Sequence, residues 1–205
     1  MKLTTALEKA GVADAIRAGL VKLTDETKAD EIWNTLHTWI LVVNSRATGR
    51  LGQCSYRIRQ VEVSDVLLRP EHRAKRNNTL KHEVAHAVNP LIHGHNDSHG
   101  PNWRRIMIAF GERPERCNTD KDVSADMRKR RVAKAKMIWA CQRCENEFPI
   151  IKRRKHPINR YKCGKCRGQL YVKRDANGHT HHNPAKVVKA VKAIPPSALE
   201  LRPRA

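Results

Sequence analysis

The most constraining feature of this 205-residue chain is the segment His82-Glu83-Val84-Ala85-His86, which has the form HExxH. Residues four apart lie on one face of an α-helix, so His82 and His86 can present both imidazoles to one metal ion. Glu83 would lie beside that ion, where a carboxylate can act as a base toward water. A catalytic zinc needs a third protein ligand and an open position. The segment therefore predicts a helix that carries part of a zinc site.

Three histidines follow this helix and are candidates for the third ligand: His93, His95 and His99. We prefer His99, because Gly100 permits a sharp turn of the backbone and the next helix can pack back through Trp103. The sequence does not identify a donor for an oxyanion, although Tyr56 and the loop histidines are candidates. A helix that merely exposes two histidines and a glutamate is the alternative interpretation.

Four of the six cysteines form two CxxC pairs, which are separated by 18 residues. The four are Cys141, Cys144, Cys163 and Cys166. Two such pairs can supply four thiolates to one structural zinc ion, and the spacing is typical of a zinc ribbon. The remaining cysteines, Cys54 and Cys117, are isolated. The sequence therefore predicts a second, closed metal site.

The segment between the two cysteine pairs is rich in basic residues. Those predicted to contact nucleic acid are Lys152, Arg153, Arg154, Lys155, Arg160 and Lys162. Basic side chains can contact phosphates, and the nearby Phe148 and Tyr161 could stack on exposed bases. A plain solvated basic face is the alternative.

The charge balance of the chain predicts an anionic partner. There are 41 Lys and Arg against 20 Asp and Glu, which gives a formal net charge of +21. Nucleic acid is the simplest partner of so basic a chain. We expect no membrane association, because no apolar run approaches the roughly 20 residues that a span needs. The start of the chain also lacks the apolar region of a secretory signal.

The cysteine usage indicates a reducing compartment, because the paired cysteines suit metal binding better than a disulfide framework. We therefore expect a cytoplasmic protein. It would be associated with the nucleoid if it is bacterial, and would act in the host cytoplasm if it is encoded by a phage.

Composition and periodicity divide the chain into five parts. They are an N-terminal arm or short helix (1–24), the domain with the HExxH segment (25–120), a basic linker that could instead be helical (121–136), the zinc ribbon (137–174) and a disordered tail (175–205). In the second part, apolar spacing predicts a helix from Asp25 to about Ala47 and strands over residues 54–63. The HExxH helix should begin near Thr79 and stop or kink at Asn89-Pro90. These elements predict an α+β fold.

Three segments in this order resemble the SprT-like (Spartan-type) metalloprotease family: LGQCSYRIRQVEVS, LKHEVAHAV and HGPNWRRIMIAFGERPERC, followed by the four-cysteine ribbon. The resemblance covers roughly residues 25 to 173. It implies a small helical, zincin-like protease domain with a short β element, followed by a small β zinc ribbon. It also implies that His82, His86 and His99 hold a catalytic zinc and that Glu83 is catalytic. With the four ribbon cysteines, two zinc ions per chain are expected.

The better-understood members of that family degrade proteins crosslinked to DNA. The resemblance therefore implies a zinc endopeptidase with Glu83 as general base toward water, which acts on DNA-associated or DNA-crosslinked proteins while its ribbon holds the DNA. We expect a monomer. The alternative is a non-enzymatic nucleic-acid-binding adaptor, or a transcription-associated protein, in which the histidine zinc site is structural.

Overall fold

The computed structural model describes residues 1–116 and 121–185. Cys117 and the last part of the expected tail, 186–205, lie outside the described residues. The chain divides into two compact units, Met1–Arg128 and Lys129–Ala205. The described residues form helices and two small sheets, which confirms the predicted α+β class. No helix among the described residues combines the length and apolar character that crossing a membrane requires.

The first unit is built from helices and one three-stranded sheet. Its helices are α1 (Leu3–Ala10), α2 (Ala13–Leu23), α3 (Glu26–His37), α4 (Arg73–His93), α5 (Pro101–Ala109) and the start of α6 (Lys121–Ala133). Its strands are β1 (Ile40–Asn44), β2 (Gly52–Ser55) and β3 (Gln60–Ser64). β3 lies in the middle, parallel to β1 and antiparallel to β2. β2 is therefore an edge strand. For the basic segment after residue 120, the structure has a helix over 121–133.

The N-terminal region is more ordered than the arm or single short helix that the sequence predicts over residues 1–24. The structure has two helices there, α1 and α2. They bury four large side chains completely: Leu3, Leu7, Ile16 and Leu20. The glycines that interrupt the helical pattern have local causes. Gly11 ends α1 in the left-handed region with a φ of 71°, and a Cβ at Gly19 would lie 2.6 Å from the ring of Phe110.

The helix predicted from Asp25 to about Ala47 starts where expected but ends ten residues earlier. The Asp25 carboxylate accepts a hydrogen bond from the Lys28 N–H at 2.8 Å, which caps α3. The helix stops at His37, and Ile40–Asn44 forms β1. The prediction for this second part is wrong because the apolar run of β1 is rich in β-branched residues, which favour a strand when a partner strand is available. β3 is that partner.

The helix that carries the HExxH segment is longer than predicted at both ends, and the expected stop at Asn89-Pro90 is wrong. Pro90 lies inside α4. Because proline has no N–H, the carbonyl of His86 loses its usual helical partner. The hydroxyl of Tyr56 donates to that carbonyl at 2.6 Å and also contacts the carbonyl of Ala87. A side chain from a distant segment therefore satisfies the backbone that the proline leaves open.

The described part of the second unit contains a three-stranded antiparallel sheet. Its strands are β4 (Met137–Cys141), β5 (Glu147–Ile150) and β6 (Leu170–Arg174), with β4 in the middle. The prediction of disorder from residue 175 is wrong for residues 175–185. Arg174 forms an isolated β-bridge with Thr180. The buried side chain of Asn183 donates to the carbonyl of Gln142 at 2.9 Å.

Candidate functional site

Three imidazoles converge at one point of the first unit. His82 and His86 lie one turn apart on α4, and His99 comes from the loop between α4 and α5. The Nε2 atom of His99 is 3.2 Å from Nε2 of His82 and 3.2 Å from Nε2 of His86. Ligands of a tetrahedral zinc ion, each at 2.0–2.1 Å from the metal, lie about 3.3 Å apart. The spacing of these three nitrogens therefore fits zinc.

The other two candidate histidines lie outside this group. Among the described residues, the histidine group that could hold a metal ion consists of His82, His86 and His99. His95 is exposed, and its Nδ1 is 3.0 Å from the carbonyl oxygen of His93. The structure therefore places His99, rather than His93 or His95, beside the two helical imidazoles.

Trp103 forms a buried platform against all three imidazoles. The centroid of its ring system is 4.8 Å from that of His82, 5.5 Å from that of His86 and 4.7 Å from that of His99. Its indole N–H also donates to the carbonyl of His82 at 3.4 Å. Because Trp103 is fully buried, it fixes the orientation of the rings through close packing.

Asp97 holds the loop that delivers His99. Its carboxylate accepts hydrogen bonds from the side chain of Asn89 at 2.6 Å and from the backbone N–H groups of Asn102 at 2.8 Å and Trp103 at 3.4 Å. Partial burial would raise the pKa of Asp97, but these hydrogen bonds outweigh it and lower the pKa. A Cβ at Gly100 would lie 2.4 Å from the Asp97 carboxylate. The backbone at position 100 therefore lies so close to this carboxylate that only glycine fits there.

The role of Asp97 in holding the His99 loop could hardly be predicted from the sequence. An acidic residue shortly before a helix N-terminus is favourable, but an aspartate in a polar loop is common. The three donors come together only when α4 and α5 pack against each other.

Glu83 is buried against the edge strand β2. Burial raises the pKa of its carboxyl to about 8, while a hydrogen bond from the Cys54 backbone N–H and the charge of Arg50 oppose that shift. A cation held by the three imidazoles would likewise favour the ionised carboxylate. A Cβ at Gly52 would lie 2.6 Å from Oε1 of Glu83. The carboxylate therefore occupies space that only a glycine leaves open.

The imidazoles of the group are held in their neutral form. Burial is the main cause that lowers the pKa of His82 to about 3 and that of His86 to about 4. Burial also lowers the pKa of His99, and the nearby charge of Arg116 adds to that effect. Neutral imidazole is the form that binds metal. Protons therefore compete weakly for these nitrogens at neutral pH.

The four paired cysteines meet in the second unit. Sulfur–sulfur distances are 3.4 Å from Cys141 to Cys166, 3.6 Å from Cys144 to Cys163 and 3.3 Å from Cys144 to Cys166. Thiolates around a tetrahedral zinc, each at about 2.3 Å from the metal, lie about 3.8 Å apart. The cluster therefore fits a zinc ion, and it is compatible with a zinc ribbon.

The two cysteine pairs have the same local turn. Glu145 and Arg167, which follow the second cysteine of each pair, lie in the left-handed region with φ values of 55° and 61°. Their N–H groups donate to the carbonyls of Cys141 and Cys163 at 3.0 and 2.8 Å. Burial would raise the pKa of the Cys141 thiol, but backbone N–H groups directed at the sulfur lower it to about 6. The pKa of Cys163 is lowered in the same way, so each turn favours the thiolate of its first cysteine, which is the form that binds metal.

The six basic residues predicted to contact nucleic acid all lie in the segment between β5 and β6, and all are exposed. They are Lys152, Arg153, Arg154, Lys155, Arg160 and Lys162. The ring of Tyr161 packs against Trp139, with the two centroids 5.4 Å apart, and its hydroxyl accepts from the His156 N–H at 3.3 Å. The Tyr161 ring is thus half-buried in the unit, and contact of these residues with nucleic acid stays a prediction.

A third group of possible metal ligands was not predicted from the sequence. Glu71, His72 and Asp126 place one ligand atom each within 4.8 Å of the others. Nε2 of the buried His72 is 3.0 Å from the Asp126 carboxylate, which also pairs with Arg69. The carboxylate thus already has two cationic or donor partners, which suits a structural link between α6 and the segment before α4. The wide sequence separation leaves no motif from which to predict it.

Three converging imidazoles beside a buried carboxylate give the first unit, an α+β domain, a candidate metal site. The model of the SprT-like family matches residues 20–123, which is half of the chain. The chain belongs to the SprT-like family, which confirms the family identified by resemblance. Membership indicates a metalloprotease. The cysteine cluster lies outside the matched residues.

Proposed function

We propose that this protein is a zinc-dependent endopeptidase that acts on DNA-associated or DNA-crosslinked proteins. The observation that carries the proposal is the convergence of His82, His86 and His99 within a SprT-like domain, with Glu83 one position from the first of them. The two groups of ligands fit two zinc ions, one at the imidazoles and one at the thiolates.

The chemistry divides between the ion and the residues around it. Zinc held by three imidazoles supplies a Lewis acid that acidifies water and polarises a carbonyl. Glu83 accepts the proton of the attacking water and returns it to the leaving amine of the cleaved peptide bond. Trp103 keeps the imidazoles oriented, and Asp97 keeps the His99 loop in place. No covalent intermediate with the protein is required.

The position of the edge strand β2 supports the proposal that the substrate is a peptide. The strand packs beside the HExxH helix, and the backbone N–H of Cys54 on the strand donates a hydrogen bond to the Glu83 carboxylate. Among the described residues, β2 pairs only with β3. An extended peptide can add to the open edge of such a strand through main-chain hydrogen bonds. A substrate segment bound in this way would lie near Glu83, which contacts β2 at Gly52 and Cys54.

The charge of the second unit supports the proposal that this unit tethers the protein to DNA. No acidic residue occurs between Glu147 and Asp175, so the six exposed basic residues of that segment lie in a locally uncompensated positive region. Contacts of lysine and arginine with phosphates give affinity without sequence preference and weaken with salt. A tether of this kind would raise the local concentration of DNA-bound substrate at the protease unit.

The tether is tested by comparing one unfolded protein in two forms, free and crosslinked to a single-stranded oligonucleotide. We expect the zinc-loaded protein to cleave the crosslinked form faster, and the advantage to disappear at high salt. Arg153→Glu with Arg154→Glu should remove the advantage while cleavage of the free form is unchanged. The matched control is Lys9→Glu with Lys22→Glu, which changes the same charge on exposed positions of the first unit.

Two results would contradict the proposal in different ways. Equal cleavage of the free and crosslinked protein would remove the DNA tether but keep the protease. Absence of any cleavage, with both zinc ions bound and DNA present, would favour the alternative, a nucleic-acid-binding adaptor with a structural histidine site.

Gly52→Ala should lower the cleavage rate without loss of zinc. The added Cβ would push the Glu83 carboxylate, and a shift of about 1 Å in a catalytic group costs on the order of a hundredfold in rate. The fold should remain, because the end of a glutamate side chain can move. Gly49→Ala is the control, since a Cβ at Gly49 has nothing within 4 Å. Kinetics and zinc content are measured on both variants, and an unchanged rate for Gly52→Ala would contradict the placement of Glu83.

A further inference from the structure

A cleft of about 290 Å³ opens beside the candidate metal ligand His99. The residues that line it include His99, Trp103, Arg104, Pro114 and Arg116. Pockets for drug-sized ligands range from roughly 300 to 1,000 Å³. This cleft is therefore suited to a single side chain. Because one lining residue is a candidate metal ligand, a side chain bound there would flank the peptide bond being cleaved.

The described residues that line the cleft carry an excess of positive charge. Arg104 and Arg116 are exposed, and neither belongs to an ion pair among residues 1–116 and 121–185. The cleft also contains the Asp97 carboxylate. Both oxygens of that carboxylate already accept hydrogen bonds, from Asn89 and Trp103 on one and from Asn102 on the other.

We propose that this cleft is a specificity subsite that binds an acidic side chain of the substrate, aspartate or glutamate, next to the scissile bond. The inference rests on the proposed protease function. Guanidinium groups pair with carboxylates through parallel hydrogen bonds. Arg104 and Arg116 supply these groups, and Pro114 would contact the methylene groups.

The surroundings of the site favour the same class of substrate. The charges of three basic residues reach the candidate ligands and Glu83 from separate segments. Arg116 acts on His99, Arg50 on Glu83, and Lys75 on His82. A cleft with an excess of positive charge attracts anionic ligands.

A nucleotide fits this cleft less well than a side chain does. Proteins that hold single-stranded nucleic acid stack bases on accessible aromatic rings. The aromatic ring in this cleft belongs to Trp103, which is fully buried and already packed against the imidazoles. A peptide carboxylate is therefore the ligand that the residues of the cleft favour.

The test uses the full chain loaded with zinc and three sets of internally quenched peptides. Within a set, the peptides are identical except that one residue near the cleaved bond is Glu, Gln or Lys. The three sets differ in the position of that residue along the peptide. We expect kcat/KM to be about tenfold higher for Glu than for Gln at one position, as for one charge-assisted contact. Arg104→Glu with Arg116→Glu should abolish this preference and favour Lys.

The control is Arg105→Glu with Arg113→Glu. It changes the same charge on exposed residues of the same helix and the same following loop, but these residues do not line the cleft. This variant should keep the preference for Glu. A preference that is absent in the native chain, or lost equally in both variants, would overturn the inference.

Equilibrium binding of the same peptides, with a fluorescent label, separates the inference from the protease proposal. It is measured by anisotropy on zinc-loaded Glu83→Gln, which leaves Arg104 and Arg116 in place. Tighter binding of the Glu peptide without any cleavage by the native chain would support the subsite and overturn the protease. Cleavage without charge preference would do the reverse. If the Arg104 and Arg116 changes instead weaken binding of a single-stranded oligonucleotide and leave the peptides unaffected, the cleft belongs to nucleic acid and the inference fails.

Discussion

Replacement of Glu83 by Gln is expected to abolish peptide cleavage while both zinc ions remain bound. The substitution keeps the size and shape of the side chain but removes its ability to accept a proton. General acid–base catalysis contributes typically 10²–10⁴-fold, so the rate should fall by about that factor. Zinc should stay because His82, His86 and His99 are unchanged. Cleavage is followed by mass spectrometry of an unfolded protein substrate, and metal content is determined by elemental analysis.

The control for this experiment is Glu31→Gln, the same chemical change on the exposed face of α3, where the carboxylate pairs with Lys28 at 2.8 Å. That surface pair should contribute little, so activity should match the native chain. Full activity of Glu83→Gln would refute the assignment of Glu83 as the base. Loss of zinc from Glu83→Gln would mean that the carboxylate has a structural role at the metal site.

Replacement of Cys163 by Ser is expected to release one of the two zinc ions and to unfold the second unit. The described part of that unit buries few large apolar side chains, among them Ile138, Trp139 and Ile150. So small a core rarely suffices alone. Structural zinc binding contributes about 10–16 kcal/mol in small zinc peptides, so the fold should depend on the metal. Hydrogen exchange should show that the β4 amides lose protection, and oligonucleotide affinity should fall.

The control for this experiment is Cys54→Ala. Cys54 lies on β2 in the first unit and does not belong to the cysteine cluster, so this variant should keep two zinc ions and full oligonucleotide affinity. Retention of both ions by Cys163→Ser would contradict the thiolate site. If the native chain binds only one ion and Cys163→Ser binds none, the imidazoles do not hold zinc.

Both metal groups could be predicted because their geometry is mostly local. Two histidines four residues apart share a helix face wherever the helix forms, and a CxxC pair places two sulfurs on one turn. The choice of His99 followed from Gly100 and Trp103, and the structure places His99 beside His82 and His86. The structure adds the reason, since Gly100 approaches the Asp97 carboxylate and Trp103 packs against all three rings.

The errors in the predicted fold come from contacts between residues far apart in the sequence. The strand at Ile40–Asn44 exists because β3 pairs with it. The helix passes through Pro90 because Tyr56, which lies 30 residues before His86, satisfies the carbonyl of His86. Local propensity alone cannot show either partner, and the predicted helix ends were therefore misplaced.

The sequence by itself determined the chemical inventory of this protein: an HExxH helix, a following histidine, four paired cysteines and a large excess of positive charge. Only the tertiary structure decided which side chains surround that inventory. It packs Glu83 against Gly52, holds the His99 loop through Asp97, and forms the cleft of Arg104 and Arg116 beside His99. The physical reason is that ligand spacing within one turn is set by local backbone geometry. Burial, charge and substrate access depend on which distant segments pack together.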